Sequence, residues 1–104
     1  MSALVCTPDG RDWYTNNRAW SIILDRFFQE AGPEKRDEFE WYASTIGINF
    51  PRIDPEKRPA VAQALLRAAE ALAGPEAAEH GWDDDSNRAR LEELAVLLRQ
   101  MTEA

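Results

Sequence analysis

Apolar positions recur along this chain mostly with the helical period. Trp20, Ile23, Leu24, Phe27, Phe28 and Ala31 fall at i, i+3, i+4, i+7, i+8 and i+11, which is one face of a helix over residues 16–31. Arg18, Asp25, Arg26 and Gln29 take the other face. Asn16 or Thr15 caps its start by accepting from free backbone N–H groups, and Gly32 followed by Pro33 stops it. Three of the six stripe residues are aromatic, and each fully buried ring is worth roughly 1.5–3 kcal/mol.

The same period predicts three more helices. The second opens at Pro33 with Glu34, Asp37 and Glu38 near its positive end. Phe39, Tyr42, Ala43 and Ile46 form its apolar face, Trp41 lies off the stripe, and Gly47 ends it. The third is announced by Asp54, Pro55 and Glu56, with Pro59 leaving two starts open, at 55 or at 59. Val61, Leu65, Ala68 and Leu72 form its seam, Ala62, Ala64, Ala69 and Ala71 allow close helix approach, and Gly74 with Pro75 is the stop. Residues 76–80 have room for one turn. The fourth helix is capped by Asp84, Asp85 or Ser86 and turns Leu91, Leu94, Ala95, Leu98 and Met101 inward, with Leu97 at the margin and fraying expected at 102–104.

Two stretches follow a different rule. Ala3, Leu4, Val5 and Cys6 make a short apolar run, Thr7, Pro8, Asp9 and Gly10 a turn, and Asp12, Trp13 and Tyr14 a return. This predicts a short β-hairpin or an extended arm leaning on the helices. Residues 48–53 (INFPRI) read as a short edge strand beside that hairpin or as a loop pinned by Ile48, Phe50 and Ile53. The expected fold is mainly α: four amphipathic helices in a small bundle, in one domain over 1–104, with the hairpin or arm at 1–14 and helices over 15–102.

Charge narrows the partners. The net charge is −7, split as 8 acids against 6 bases in residues 1–52 and 11 against 6 in residues 53–104. That balance disfavours nucleic acid and anionic membrane surfaces, which need clustered Lys and Arg, and permits a basic protein partner. No apolar run approaches the ~20 residues of a membrane span, and Leu4 with Val5 is too short for a signal-peptide core. Cys6 is the single cysteine, so no internal disulfide forms, and a bacterial, cytoplasmic protein is the default expectation.

Candidate chemistry is sparse. Asp83, Asp84 and Asp85 are consecutive, whereas a helix-loop-helix calcium site needs alternating oxygens and a Glu at position twelve, where Leu94 stands. Negative charge at a helix start explains them better. His80 and Glu76 share four-residue spacing, but two ligands are too few for a metal site. Cys6 has only His80 as a conceivable base. No phosphate loop, nucleophile elbow, paired-cysteine or zincin motif occurs, so no catalytic, cofactor or metal residue is assigned and an enzyme is not expected.

Trp13, Tyr14, Trp41 and Trp82 do not fit the helical stripes, and neither does Ile22. Packing against the arm or loops accounts for most such rings, and a binding surface for the rest. The segment Asn16, Asn17, Arg18, Ala19, Trp20 with Ile23 and Leu24 resembles the opening of small uncharacterised bacterial proteins that read Asn-x-x-Trp before an amphipathic helix and carry a later Ala/Leu-rich helix. The resemblance covers residues 10–31 and the plan of 55–73 and brings no function with it.

The leading expectation is an acidic protein-binding module, such as an immunity-type inhibitor, adaptor or regulator. Asp83, Asp84 and Asp85, with Glu92 and Glu93, would face a basic partner, anchored by Trp41 or Trp82. The alternatives are a homo-oligomeric structural protein, with Ile22 and Leu97 facing another copy, and a small-molecule-binding domain or minor enzyme with an aromatic-lined pocket and carboxylates as acid–base groups.

Overall fold

Four strands share one mixed sheet, and that sheet corrects the expected mainly α bundle with at most a short hairpin. The computed structural model describes residues 2–102. In chain order they form β1 (Ser2–Cys6), β2 (Asp12–Asn16), α1 (Asn17–Ala31), α2 (Arg36–Phe39), β3 (Ala43–Ser44), β4 (Gly47–Asn49), a 3-10 turn (Phe50–Arg52), α3 (Arg58–Ala73), a second 3-10 turn (Ala77–His80) and α4 (Asp85–Thr102). The fold is α+β with helices dominant. Of the fraying expected at 102–104, residues 103 and 104 lie outside the described residues.

The hairpin is real. β1 and β2 pair antiparallel around a turn in which Gly10 N–H donates to the Thr7 carbonyl at 3.1 Å. The buried Thr7 hydroxyl ties the turn together, donating to Arg11 O and accepting from Arg11 N–H. What the helical period hid is the second half of the sheet. Strand order is β2-β1-β4-β3, with β4 parallel to β1 and β3 antiparallel to β4.

The expected second helix over 33–46 is therefore mostly absent. Only Arg36–Phe39 is helical, and Tyr42 N–H closes a turn onto the Phe39 carbonyl at 3.0 Å before the chain enters β3. Ala43 and Ile46, placed by spacing on one helical face, separate: Ala43 is buried in the sheet and Ile46 is 69 % exposed. The 48–53 stretch starts as a strand beside the hairpin, but an inner one held between β1 and β3 and not the expected edge, and continues as a 3-10 turn around Pro51 with Ile53 buried.

Gly47 makes the β1–β4 pairing feasible. Its φ is +132°, and a Cβ there would overlap the backbone of Leu4, whose N–H donates to the Ile46 carbonyl at 3.0 Å. Only glycine accepts both that angle and that approach.

The register sorts the sheet into rows. Trp13, Val5, Ile48 and Ala43 lie side by side across the four strands, and all are buried. This row meets the helices. The neighbouring row on the other face is Tyr14, Leu4, Gly47 and Ser44, followed by Asp12, Cys6 and Asn49. Strand side chains alternate, so a sheet covered on one side buries every second residue.

α1, α3 and α4 match the periodic segments. Asn16 caps α1 by accepting from Ala19 N–H at 2.8 Å. α3 starts at Arg58, so Pro59 falls in its first turn, where its missing N–H costs no helical bond. Its alanines permit close packing against α4, with Ala62, Ala68, Ala69, Leu65 and Leu72 buried beside Leu91, Leu94 and Leu98. Phe27 stacks on Phe39 with centroids 5.4 Å apart, joining α1 to α2.

Candidate protein interface

Four large apolar side chains stand out in solvent: Tyr14 at 53 %, Trp41 at 89 %, Ile46 at 69 % and Val96 at 47 %. Three of them belong to the strand layer or the loops that lead into it, and none belongs to the buried row. The sheet's bare face and its flanking loops thus carry three of these exposed side chains, and clustered apolar exposure marks interaction sites.

Trp41 and Ile46 flank a shallow cleft of about 290 Å³ on that face. Leu4 and Cys6 of β1 give it an apolar floor, and Arg52 of the first 3-10 turn supplies a cation. Trp41 is held out by the abrupt end of α2: its N–H donates to the Glu38 carbonyl at 3.1 Å, and the chain then turns into β3. Around it the acids are engaged. Arg36 pairs with Glu40 at 3.2 Å, and Lys57 with Glu38 at 3.2 Å. Lys57 and the Tyr42 hydroxyl hold the Glu38 carboxyl below its usual range despite some desolvation.

Burial and then the neighbouring Asp12 carboxylate raise the pKa of the Cys6 thiol, the opposite of the shift that activates a cysteine nucleophile. Cys6 lines the Trp41 cleft, whereas His80 lines a different one.

The other residues singled out from sequence are placed separately. Trp82 is partly buried against the core, with its N–H donating to the Ala77 carbonyl at 2.8 Å and its ring 5.7 Å from His80. Asp84 is the N-cap of α4. It accepts from Asn87 N–H at 3.4 Å and from the Asn87 amide at 2.7 Å, and those bonds lower its pKa. Asp83 offers its carbonyl to Arg88 at 3.4 Å, and Asp85 is the first residue of the helix. No hydrogen bond, ion pair or ring contact joins Trp41 to Trp82, Asp83, Asp84 or Asp85 among the described residues.

The expected Glu76–His80 relation gives way to another. Glu76 takes Arg26 of α1 at 3.0 Å, and Arg26 also reaches Glu30 at 2.8 Å. Burial alone would lower the Arg26 pKa, but the two carboxylates outweigh it and hold the guanidinium above its ordinary value. Arg26 and Glu76 border a cleft of about 550 Å³, with Asp25, Glu79 and His80 on its rim. Its one interior cation is already neutralised twice, so it presents no free anion site. Among the described residues no group of three His, Cys, Asp or Glu side chains converges as metal ligands. None of the helices there is long and apolar enough to cross a membrane.

Leu4, Ile46 and Arg52 were not legible as surface-site residues. Ile46 carried the wrong signal, because its spacing from Phe39 and Tyr42 imitates a helix face. No protein-family model, curated protein or solved structure matches the chain.

Proposed function

We propose that this chain is a small acidic protein-binding module, an immunity-type inhibitor, adaptor or regulator, that docks its partner on the sheet face around Trp41. The observation that carries the proposal is a tryptophan 89 % exposed beside an apolar cleft. Exposed Trp with a neighbouring pocket is the side chain that most often dominates a protein interface. Ile46 extends the apolar contact, and Arg52 gives it one directional polar partner.

The net charge of −7 favours a basic partner and a fast, salt-sensitive encounter. Asp83, Asp84 and Asp85 contribute to that steering field together with Glu92 and Glu93, and Trp82 stands beside them. A cytoplasmic setting suits the free thiol of Cys6.

The test is capture from the host's own lysate by the tagged wild type and by Trp41→Ala, at low and then high salt. A single stoichiometric basic protein, retained by the wild type, released by salt and lost with Trp41→Ala, supports the reading. A partner retained equally by the variant places the interface elsewhere.

A further inference from the structure

The two edges of the sheet differ. β3 is two residues long, and its Ser44 carbonyl is occupied by the Trp20 indole N–H at 2.7 Å. β2 is five residues long and is the other edge. The Leu4 N–H points to β4, so the alternate residues Ala3 and Val5 point to β2 and bond Thr15 and Trp13. The N–H and C=O of Asp12 and Tyr14 therefore point away from the sheet. No hydrogen bond reaches them among the described residues. Unpaired edges of this kind template the addition of another strand.

Beside that edge runs a groove of about 430 Å³ between β2 and α4, floored by Trp13 and walled by Val96 and Leu97. The Trp13 indole N–H donates to the Arg90 carbonyl at 3.0 Å, which fixes α4 against the strand. Arg90 and Glu93 pair with each other at 3.1 Å, so the groove's charges are internally balanced.

We infer that β2 pairs antiparallel with β2 of a second copy of this chain, about a two-fold axis at Tyr14, to form a dimer with a continuous sheet. The edge is self-complementary in this register. Tyr14 faces Tyr14, and Asp12 faces Asn16, so no like charges meet. A two-fold axis perpendicular to the sheet leaves both helical layers on the same side and sets the two α4 helices next to each other. The half-exposed Val96 and the neighbouring Leu97 are then covered. None of these edge residues lines the Trp41 cleft.

The test is mass by sedimentation equilibrium from micromolar to near-millimolar protein. The wild type, 11.8 kDa as a monomer, is expected to reach twice that mass. Tyr14→Lys and Tyr14→Glu each place like charges on the axis and should weaken association at least about tenfold. Tyr14 is 53 % exposed, so neither change should alter the circular dichroism spectrum. An equimolar mixture of the two variants should recover the dimer, which a site away from the axis would not produce. A wild type that stays monomeric throughout overturns the inference, as does a dimer indifferent to both charges. Trp41→Ala leaves the mass unchanged, so failure here and failure of the docking proposal are separate results.

Discussion

The indole N–H of Trp20 donates to the backbone carbonyl of Ser44 at 2.7 Å, fastening the first turn of α1 to the edge strand β3. Trp20 is 1 % exposed, so its ring fills the core while its one polar atom closes the sheet's far edge. Trp20→Phe keeps most of the apolar area and removes that hydrogen bond. The expected loss is about 1–3 kcal/mol, and Trp20→Ala should cost about 3–5 kcal/mol. Urea unfolding of the three proteins checks the order. A Phe variant as stable as the wild type would remove the hydrogen bond from the account.

Gly47 is a second residue on which the sheet depends. Gly47→Ala forces a Cβ into the Leu4 backbone at a φ of +132°. We expect a loss of at least about 2 kcal/mol, combining backbone strain and steric displacement. Hydrogen exchange should show Leu4 N–H losing protection first, because its bond to Ile46 O is the one displaced. An alanine variant of wild-type stability would contradict the register.

These two residues also show what the sequence made legible. Trp20 sits on a stripe of 3.6-residue period that runs through four turns, and α1 lies where that stripe places it. α3 and α4 were equally readable, since long amphipathic helices declare their buried face many times over. The hairpin followed from turn chemistry at Thr7, Pro8, Asp9 and Gly10. β3 and β4 are five residues in total and declare nothing by period. Phe39, Tyr42, Ala43 and Ile46 met the helical template by coincidence, and only pairing with β1, some forty residues away in sequence, overrules it. At the candidate interface Trp41 and Trp82 were alike in sequence, both off-stripe. Their different exposure is set by tertiary neighbours that no local pattern encodes.

Arg26 joins α1 to the chain after α3, and its side chain is 20 % exposed between Glu76 at 30 % and Glu30 at 22 %. Removing one member leaves partly desolvated charge behind. Arg26→Ala is expected to cost about 1–2 kcal/mol, more than an exposed pair would. A double-mutant cycle with Glu76→Gln should return coupling on the order of 1 kcal/mol. Additive effects would mean that solvent screens the pair fully.

Asp84 makes stability at α4 depend on pH in a defined direction. Its pKa is lowered in the folded state by bonds to Asn87, so the ionised form is the one that folding favours. That contribution is present above the unfolded carboxylate value and is lost as pH falls through the lower, folded one. Asp84→Ala should therefore be less stable than wild type at neutral pH, and the gap should close as the medium is acidified below the ordinary Asp range. Thermal unfolding at several pH values tests this. A gap that persists in acid would assign the effect to helix propensity instead of the charged cap.

Trp41 and Trp82 separate function from stability. Trp41 is 89 % exposed, so Trp41→Ala should leave the urea midpoint within about 0.5 kcal/mol of wild type. Trp82 packs on the core from the loop ahead of α4, and Trp82→Ala should cost about 1–3 kcal/mol. If the docking face lies around Trp41, the first substitution removes about 2 kcal/mol or more of binding and spares the fold. The second weakens the fold and changes affinity only through it, an effect that disappears when binding is measured well below the unfolding transition. A Trp82→Ala protein that is fully folded and yet loses its partner would move the anchor to the acidic start of α4. The charge reversals Asp83→Lys and Asp85→Lys would then weaken binding in the same way, whereas with the anchor at Trp41 they lower mainly the association rate, and less so at high salt.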